Sequence, residues 1–286
     1  TMQEPTGASD QGQDWLWETI FKNEGMALMQ SLPDHNNKGN SKCVYVPGLL
    51  ATEYHPTDNF EAALLLEQEF ESILAEVKPL LSPEGAVDFK PVGGHTSATD
   101  ASLVNQGTWT DISLYSAGVR NDLACKHMPH LCSVLDSMPD LTLNLQGHAL
   151  ISRLSPGTQV RRHHGISNVQ LTMHLGLVVP AQGAGIEVNG KESTWVRGKV
   201  VVFDDAFPHS VWHNGTVGSG DRVVLLIRFY HPEYTLEERS KFILTHTESP
   251  WSQELRWRAV KRLNTAAARD QWEHDKLRFR GLPYEA

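Results

Sequence analysis

Residues 148–180 read HALISRLSPGTQVRRHHGISNVQLTMHLGLVVP, and residues 199–214 and 221–232 read KVVVFDDAFPHSVWHN and DRVVLLIRFYHP. Short runs of alternating or fully apolar residues are separated here by turn pairs such as Pro156-Gly157 and Asn189-Gly190. Many short strands at close spacing are typical of a sandwich or barrel, and Asn-Gly favours a two-residue hairpin turn. The pattern therefore predicts a mainly β sandwich or barrel at the centre of the chain.

Helical patterns flank these strands. Apolar residues at helical spacing predict a helix over 58–81, which Asp58 and Glu61 would open as a capping box, and Thr235 with Glu238 repeats that signal. A strand is also predicted at 194–196. We therefore expect three regions, namely a helical and irregular region packing on the barrel (1–100), the β core (101–234) and C-terminal helices (235–286).

Bulk composition limits the possible partners. The chain has 286 residues, of which 40% are hydrophobic and 21% charged, as in ordinary globular proteins. Its formal net charge of −9 argues against a general nucleic-acid binder. No apolar run approaches the roughly 20 residues of a membrane span, and no secretory signal is visible. We expect neither a nucleic-acid partner nor a membrane span, and the oligomeric state is left open.

Two histidines at predicted strand ends, His163 and His209, are candidate metal ligands. Neutral imidazole suits Fe(II), Zn and Cu. Non-heme iron oxygenases usually add a carboxylate to two histidines, commonly two residues after the first, but that position is Gly165 here. Either the site uses two protein ligands, or Asp204 or Asp205 supplies the acid.

Arg222 opens a strongly apolar predicted strand. If the arginine is buried it requires an anionic partner, because an unpaired buried charge is costly. A dicarboxylic acid such as 2-oxoglutarate would satisfy it, with Ser152 and His174 on neighbouring strands adding hydrogen bonds. The alternatives are a local pair with Asp221, or binding of the acid by Arg228, which shares a strand face with Arg222.

Several long motifs carry a family resemblance. In chain order they read 107-GTWTDISLYSAGVRNDLACKHMPHLCSVLDSMP-139, 154-LSPGTQVRRHHGISN-168, 173-MHLGLVVP-180, 194-TWVRGKVVVFDDAFPHSVW-212 and 222-RVVLLIRFYHPE-233. Together they resemble the catalytic domain of the aspartyl/asparaginyl β-hydroxylases over roughly residues 105–240. The resemblance implies a double-stranded β-helix, which is a jelly-roll or cupin-like barrel. It also implies a dioxygenase that uses Fe(II), 2-oxoglutarate and O₂.

The resemblance assigns roles to the candidate residues. His163 and His209 match the two iron ligands, which are the catalytic metal-binding residues, and Gly165 matches a glycine that the family itself carries. Arg222 and Ser152 match residues that bind the distal carboxylate of 2-oxoglutarate. A further match places His174 near the other end of that co-substrate. The implied reaction hydroxylates an unactivated C–H bond of an amino-acid, peptide or related small-molecule substrate, with release of succinate and CO₂.

The substrate side departs from the family. Val104, Leu150, Gln170 and Thr172 stand where the human-type enzyme carries basic residues, some of which bind the acidic substrate side chain. Loss of those cations predicts a substrate wall that no longer favours an Asp carboxylate. Substrate identity therefore stays open. A halogenase or another oxidation on the same iron, and a non-catalytic jelly-roll binding protein, remain the alternatives.

The cysteines bear on the compartment. Cys125 and Cys132 match a family pair that forms a disulfide in a secretory-pathway member. The lack of a visible signal favours the cytoplasm. A Cys125–Cys132 bridge would instead indicate the secretory pathway, if an N-terminal segment has been removed ahead of Thr1-Met2.

Overall fold

A computed structural model describes residues 27–28, 44–46, 48–82, 84–92, 103–116, 119–142, 144, 147–165 and 167–234. Two antiparallel sheets dominate it. The larger sheet contains, in spatial order, β3 (Tyr54–His55), β13 (Val200–Phe203), β10 (Gln170–Val178), β15 (Arg222–Tyr230), β8 (His148–Leu154), β6 (Trp109–Ser116) and β4 (Lys90–Pro91), with β7 (Val119–Arg120) beside β6.

The smaller sheet contains, in spatial order, β12 (Lys191–Ser193), β11 (Ala184–Val188), β14 (His209–His213), β9 (Thr158–His163) and β5 (Val104–Gln106). A separate two-stranded pair joins β1 (Ala27–Leu28) to β2 (Val44–Tyr45). From β8 to β15 the chain alternates between the two large sheets, apart from the β11–β12 hairpin. This winding is a double-stranded β-helix, so the predicted mainly β jelly-roll fold is confirmed.

The two faces of the larger sheet have different partners. Odd-numbered residues of β15, such as Val223 and Leu225, belong to a core shared with the helices, whereas Val224 packs with residues of the smaller sheet. Successive residues of a strand point to opposite faces. The even-numbered residues of β15 therefore face the interior between the sheets, where polar groups also gather.

Helices cover the outer face. They are α1 (Glu61–Gln68), α2 (Phe70–Val77), α3 (Asp122–Cys125), α4 (Pro129–Asp136) and α5 (Pro139–Thr142), with 3-10 turns at Thr57–Asn59, Lys78–Leu81 and Val217–Ser219. A disulfide joins Cys125 to Cys132, and thereby links α3 to α4. No helix in the described part of the chain is both long and apolar enough to cross a membrane.

The predicted helix over 58–81 is divided, and its capping box is wrong. Asp58 lies in the preceding 3-10 turn, and Phe60 takes the N-cap position of α1 without a side-chain cap. Phe60 is buried and contacts Phe229 edge to face, with ring centroids 5.6 Å apart. Its extended backbone (φ −124°) keeps it out of the helix. Burial of this aromatic ring therefore sets the helix start.

The strand at 194–196 is also misplaced, because the strand is Lys191–Ser193. Asn189 (φ 49°) and Gly190 (φ 84°) both take positive φ, as a type I′ turn requires. This turn pairs Val188 directly with Lys191. The predicted strands over 109–116, 168–179 and 222–230 are confirmed within a residue or two, and the predicted C-terminal helices over 235–286 lie outside the described residues.

Candidate functional site

A cavity of about 450 Å³, including its open mouth, lies between the two sheets. Its lining combines apolar walls with polar groups from five strands and from the segments that flank them. The lining residues are Trp109, Ser152, Leu154, Val160, His163, Thr172, His174, Phe203, Asp205, His209, Val211, Arg222, Leu226 and Arg228.

His163 and His209 meet at one wall. His163 ends β9, His209 begins β14, and the two are directly paired in the ladder. Their ring centroids are 4.2 Å apart. His163 Nδ1 lies 2.7 Å from the carbonyl of Arg161, and His209 Nδ1 lies 2.9 Å from that of Phe207. Each Nδ1 must therefore be the protonated nitrogen, which leaves the Nε2 lone pair of both rings available.

Both rings are held in the neutral form. Burial, and then the neighbouring His209, lower the pKa of His163 to about 3. Burial and the charge of Arg228 lower the pKa of His209 to about 4, against the opposing hydrogen bond to Phe207. At neutral pH two neutral imidazoles, each protonated on Nδ1 only, thus face one another, and this is the form that binds a transition metal.

Gly165 leaves no room for a side chain. A Cβ at this position would lie 2.5 Å from Oδ1 of Asp205. The Gly165 amide also donates to the Asp205 carbonyl at 2.6 Å, which fixes the two backbones together. The structure therefore places the carboxylate of Asp205 where a ligand side chain at 165 would begin.

Neither aspartate is grouped with the histidines as a third ligand. Oδ2 of Asp205 accepts a hydrogen bond from Thr172 at 3.1 Å and lies 3.1 Å from Nε of Arg228. Asp204 accepts from the Ala206 amide at 2.9 Å, and burial raises its pKa to about 7. Among the described residues no cluster of three or more His, Cys, Asp or Glu side chains could hold a metal. The geometry favours two protein ligands.

Arg222 is buried and has no anionic partner among the described residues. It is 2% exposed, and its guanidinium lies over the Trp195 ring at 4.7 Å from the centroid. Burial lowers its pKa to about 9, and its Nε has no hydrogen-bond partner among the described residues. The local alternative is wrong, because Asp221 pairs with Arg153 at 2.5 Å instead. The site around Arg222 is therefore complete only with an added anion.

Ser152 and His174 supply further donors beside Arg222. The Ser152 hydroxyl oxygen accepts from the Trp109 indole at 3.0 Å and lies 3.5 Å from Nη1 of Arg222, so its own proton is available. His174 Nδ1 accepts from the Trp195 indole at 3.2 Å. The proton of this neutral ring is then on Nε2, which is buried and has no partner among the described residues.

Trp109 and Trp195 are site residues that sequence reasoning missed. Both indole N–H groups donate to polar residues of the cavity. The alternation of β6 could have placed Trp109 on the same face of the sheet as Ser152. Trp195, in contrast, falls within the wrongly predicted strand 194–196 and lies just after the observed one. The available donors of Arg222, Ser152 and His174, next to two imidazoles with available Nε2 lone pairs, fit a chelating dicarboxylic acid and its metal.

The four residues of the predicted substrate wall are only partly brought together. Thr172 lines the cavity. Gln170 lies on the same face of β10 but donates to Asn144 at 3.2 Å. Leu150 shares the Ser152 face of β8 and is half-buried, whereas Val104 lies in the other sheet, paired with Val160. Of these four residues, only Thr172 therefore lines the cavity.

The chain is similar to several known proteins. A family model described as Aspartyl/Asparaginyl beta-hydroxylase matches residues 67–232. Human aspartyl/asparaginyl beta-hydroxylase is 36% identical over 160 residues, which is 56% of this chain but 21% of that protein. Rat aspartate beta-hydroxylase domain-containing protein 2 is 32% identical over 197 residues, covering 68% of this chain and 55% of its own.

Two further matches differ in kind. The ornithine lipid ester-linked acyl 2-hydroxylase of Rhizobium tropici is 29% identical over 193 residues, covering 66% of this chain and 63% of that protein. The crystal structure of a Pseudomonas putida prolyl-4-hydroxylase aligns with a TM-score of 0.34 and 18% identity, over 64% of this chain and 91% of that one. The chain thus spans less than two thirds of these curated relatives. Because the family model covers more than half of the chain, the protein belongs to the aspartyl/asparaginyl β-hydroxylase family.

Proposed function

We propose that the protein is an Fe(II)- and 2-oxoglutarate-dependent oxygenase that hydroxylates an unactivated C–H bond of an amino-acid, peptide or related small-molecule substrate. One observation carries the proposal. A buried arginine, Arg222, lacks a counter-ion in the described part of the chain and lines the same cavity as two neutral imidazoles whose Nε2 atoms are available. Membership of a hydroxylase family supports the same chemistry.

Each polar residue then has a task. His163 and His209 would hold the iron through Nε2, while their Nδ1–H bonds to backbone carbonyls fix the ring orientation. Arg222 and Ser152 would bind the distal carboxylate of 2-oxoglutarate, and His174 would donate Nε2–H to the co-substrate. Iron, 2-oxoglutarate and O₂ together supply the oxidising chemistry, with release of succinate and CO₂.

The apolar walls have a separate task. Phe203 contacts the rings of both His209 and His174 edge to face, at centroid distances of 5.6 and 5.1 Å. Leu154, Val160 and Val211 line the same cavity. These side chains exclude water from the cavity around the two histidines. Exclusion of water strengthens the electrostatic attraction between Arg222 and a carboxylate.

One assay tests the proposal. The protein is incubated with Fe(II), ascorbate and 2-oxoglutarate, with and without candidate substrates, and succinate and product mass are followed. A gain of one oxygen in the product supports hydroxylation, and a chlorine isotope pattern would indicate the halogenase alternative. Absence of bound iron together with absence of succinate would refute both, and would leave a non-catalytic binding protein.

The disulfide supports a proposal about compartment. Cys125 and Cys132 are both buried and bridged, and structural disulfides persist in oxidising compartments. We propose that the protein folds in the secretory pathway or an equivalent oxidising space. Alkylation of protein from its native source, before and after reduction, should reveal two thiols that only reduction exposes. Full alkylation of Cys125 and Cys132 without reduction would contradict this.

A further inference from the structure

A second arginine reaches the cavity at a different place from the first. Arg222 and Arg228 lie on the same face of β15, six residues apart, which corresponds to roughly 20 Å between their Cα atoms at the rise of a strand. Arg222 is deeply buried, whereas the side chain of Arg228 is 38% exposed. The two guanidinium groups therefore lie at different ends of the cavity, and that of Arg228 is accessible to a molecule that enters from solvent.

Arg228 is held in position but keeps binding capacity. Its Nε lies 3.1 Å from Oδ2 of Asp205, whose side chain is only 5% exposed. No second carboxylate of the described residues pairs with Arg228. A guanidinium carries five N–H donors in a rigid fork, so one ion pair through Nε leaves the two terminal amino groups able to bind an oxyanion side by side.

Arg228 also lies beside the one residue of the predicted substrate wall that lines the cavity. It is the direct cross-strand partner of Thr172, and both side chains line the cavity. The neutral Thr172 on β10 therefore does not leave that end of the cavity without positive charge, because Arg228 supplies it from the adjacent strand β15.

The net charge of the cavity indicates what charge a bound substrate should carry. Its charged lining residues are Arg222, Arg228 and Asp205, and so its net charge is +1. Fe(II) and doubly ionised 2-oxoglutarate cancel each other, so the +1 remains when both are bound. The Arg228 side chain is 38% exposed, so solvent screens this charge in part, but the excess positive charge still attracts an anion to the open end of the cavity. A substrate with one negative group would remove that imbalance.

We propose that Arg228 is a specificity-determining residue that binds an oxyanion, either carboxylate or phosphate, on the substrate. The inference rests on the oxygenase function proposed above. Asp205 acts as a positioning residue that holds the guanidinium toward the cavity. The oxyanion binds on the β15 side of the cavity, beside Thr172 of β10.

Binding to a redox-inert complex tests the inference separately from turnover. The protein is loaded with Zn(II), which neutral imidazole also binds, and with saturating 2-oxoglutarate. Matched N-acetyl amino-acid amides are titrated by calorimetry in three pairs, namely Asp against Asn, Glu against Gln, and phosphoserine against serine. The first two pairs report on carboxylate and the third on phosphate.

The acidic member of at least one pair should bind about 10- to 100-fold more tightly than its neutral partner, as expected for charge-assisted bidentate hydrogen bonds. Arg228→Gln should abolish that difference. Arg228→Lys, which retains the positive charge, should keep part of it. The lysine variant therefore still tests the inference if the glutamine variant folds poorly. Arg197→Gln, at an exposed arginine outside the cavity, should leave the difference intact.

Two results would overturn the inference while the proposed function stands. One is a wild-type protein that does not prefer any acidic probe. The other is an Arg228→Gln variant that keeps the preference, or that loses 2-oxoglutarate affinity as strongly as substrate affinity. If the wild-type protein binds neither Zn(II) nor 2-oxoglutarate, the proposed function fails, and the inference fails with it.

Discussion

Trp195 donates its indole N–H to Nδ1 of His174 at 3.2 Å, and this bond decides which nitrogen of a buried imidazole carries the proton. The same indole ring lies beneath the guanidinium of Arg222. Trp195 thus orients both co-substrate donors without lining the cavity itself. It is a positioning residue that unites two candidate binding groups.

Trp195→Phe should weaken 2-oxoglutarate binding about 3- to 10-fold, because His174 loses its tautomer-fixing partner while the aromatic surface under Arg222 is kept. Calorimetry on the Zn(II)-loaded protein checks this. Metal affinity should be unchanged, because Trp195 hydrogen-bonds to His174 and not to the candidate metal ligands His163 and His209. An equal loss of metal and 2-oxoglutarate binding would indicate general damage to the fold instead.

His209→Ala should abolish iron-dependent turnover and reduce metal stoichiometry. With two protein ligands, removal of one leaves a single imidazole, which cannot hold the ion firmly. Metal content after dialysis, together with succinate formation, measures both effects. His127→Ala, at an exposed histidine on the helical side, is the matched control and should behave as wild type. Iron-dependent succinate formation by His209→Ala would contradict the assignment.

Arg222→Ala should mainly raise the 2-oxoglutarate requirement, by about 10- to 100-fold in KM, because a charged hydrogen-bonding partner of the acid is lost. Substrate KM should change far less. The comparison with Arg228→Ala is decisive. If Arg228→Ala weakens 2-oxoglutarate binding and Arg222→Ala does not, then Arg228 is the arginine that binds the co-substrate.

Acid should destabilise the metal-free protein. Burial lowers the pKa of His148 and His209 to about 4 and that of His163 to about 3, from an ordinary 6.5. Between pH 6.5 and 4 the unfolded chain therefore takes up protons that the folded chain refuses, and stability falls as pH falls. Asp204 opposes this trend, since burial raises its pKa to about 7 and its contribution grows as pH falls through 7.

These histidines outweigh the one aspartate, and His174, whose pKa burial also lowers, adds to them. The free energy of unfolding should therefore drop by about 3 kcal/mol or more from pH 6.5 to pH 5.0. Urea denaturation at the two values measures it. His148→Gln should reduce the drop, because one of the buried histidines no longer titrates. A free energy of unfolding that rises toward pH 5.0 would show that the buried carboxyl outweighs the imidazoles.

Gly165→Ala should destabilise the fold by about 1–3 kcal/mol, as overpacking of a closed site does. The added Cβ would lie 2.5 Å from the Asp205 carboxylate, which Arg228 and Thr172 hold in place. Thermal denaturation measures the change. Gly218→Ala, where a Cβ meets nothing within 4 Å, is the control. Equal melting temperatures for the two variants would mean that the Asp205 side chain moves aside at little cost in free energy.

Sequence patterns predicted the barrel because strand alternation and the Asn189-Gly190 turn are local signals. They also indicated His163, His209 and Arg222 as candidate site residues. Each of these lies at the end of a predicted strand, and alternate residues of a strand share one face of the sheet. The indole partners of Ser152 and His174 could not be predicted, because a contact between side chains distant in sequence depends on how the strands align. The capping box at Asp58 failed for a similar reason, since burial of Phe60 against β15 overrides a local preference.

The relationship between Gly165 and Asp205 also has an evolutionary consequence. The two positions share one volume, so a carboxylate can occupy that space from either residue but not from both. To accept an acidic side chain at 165 the protein must give up Asp205, and this step deprives Arg228 of its counter-ion. Such a change therefore requires coordinated substitutions in three separate segments. Steric packing thus disfavours any single substitution that would add a carboxylate at 165 to the two histidines.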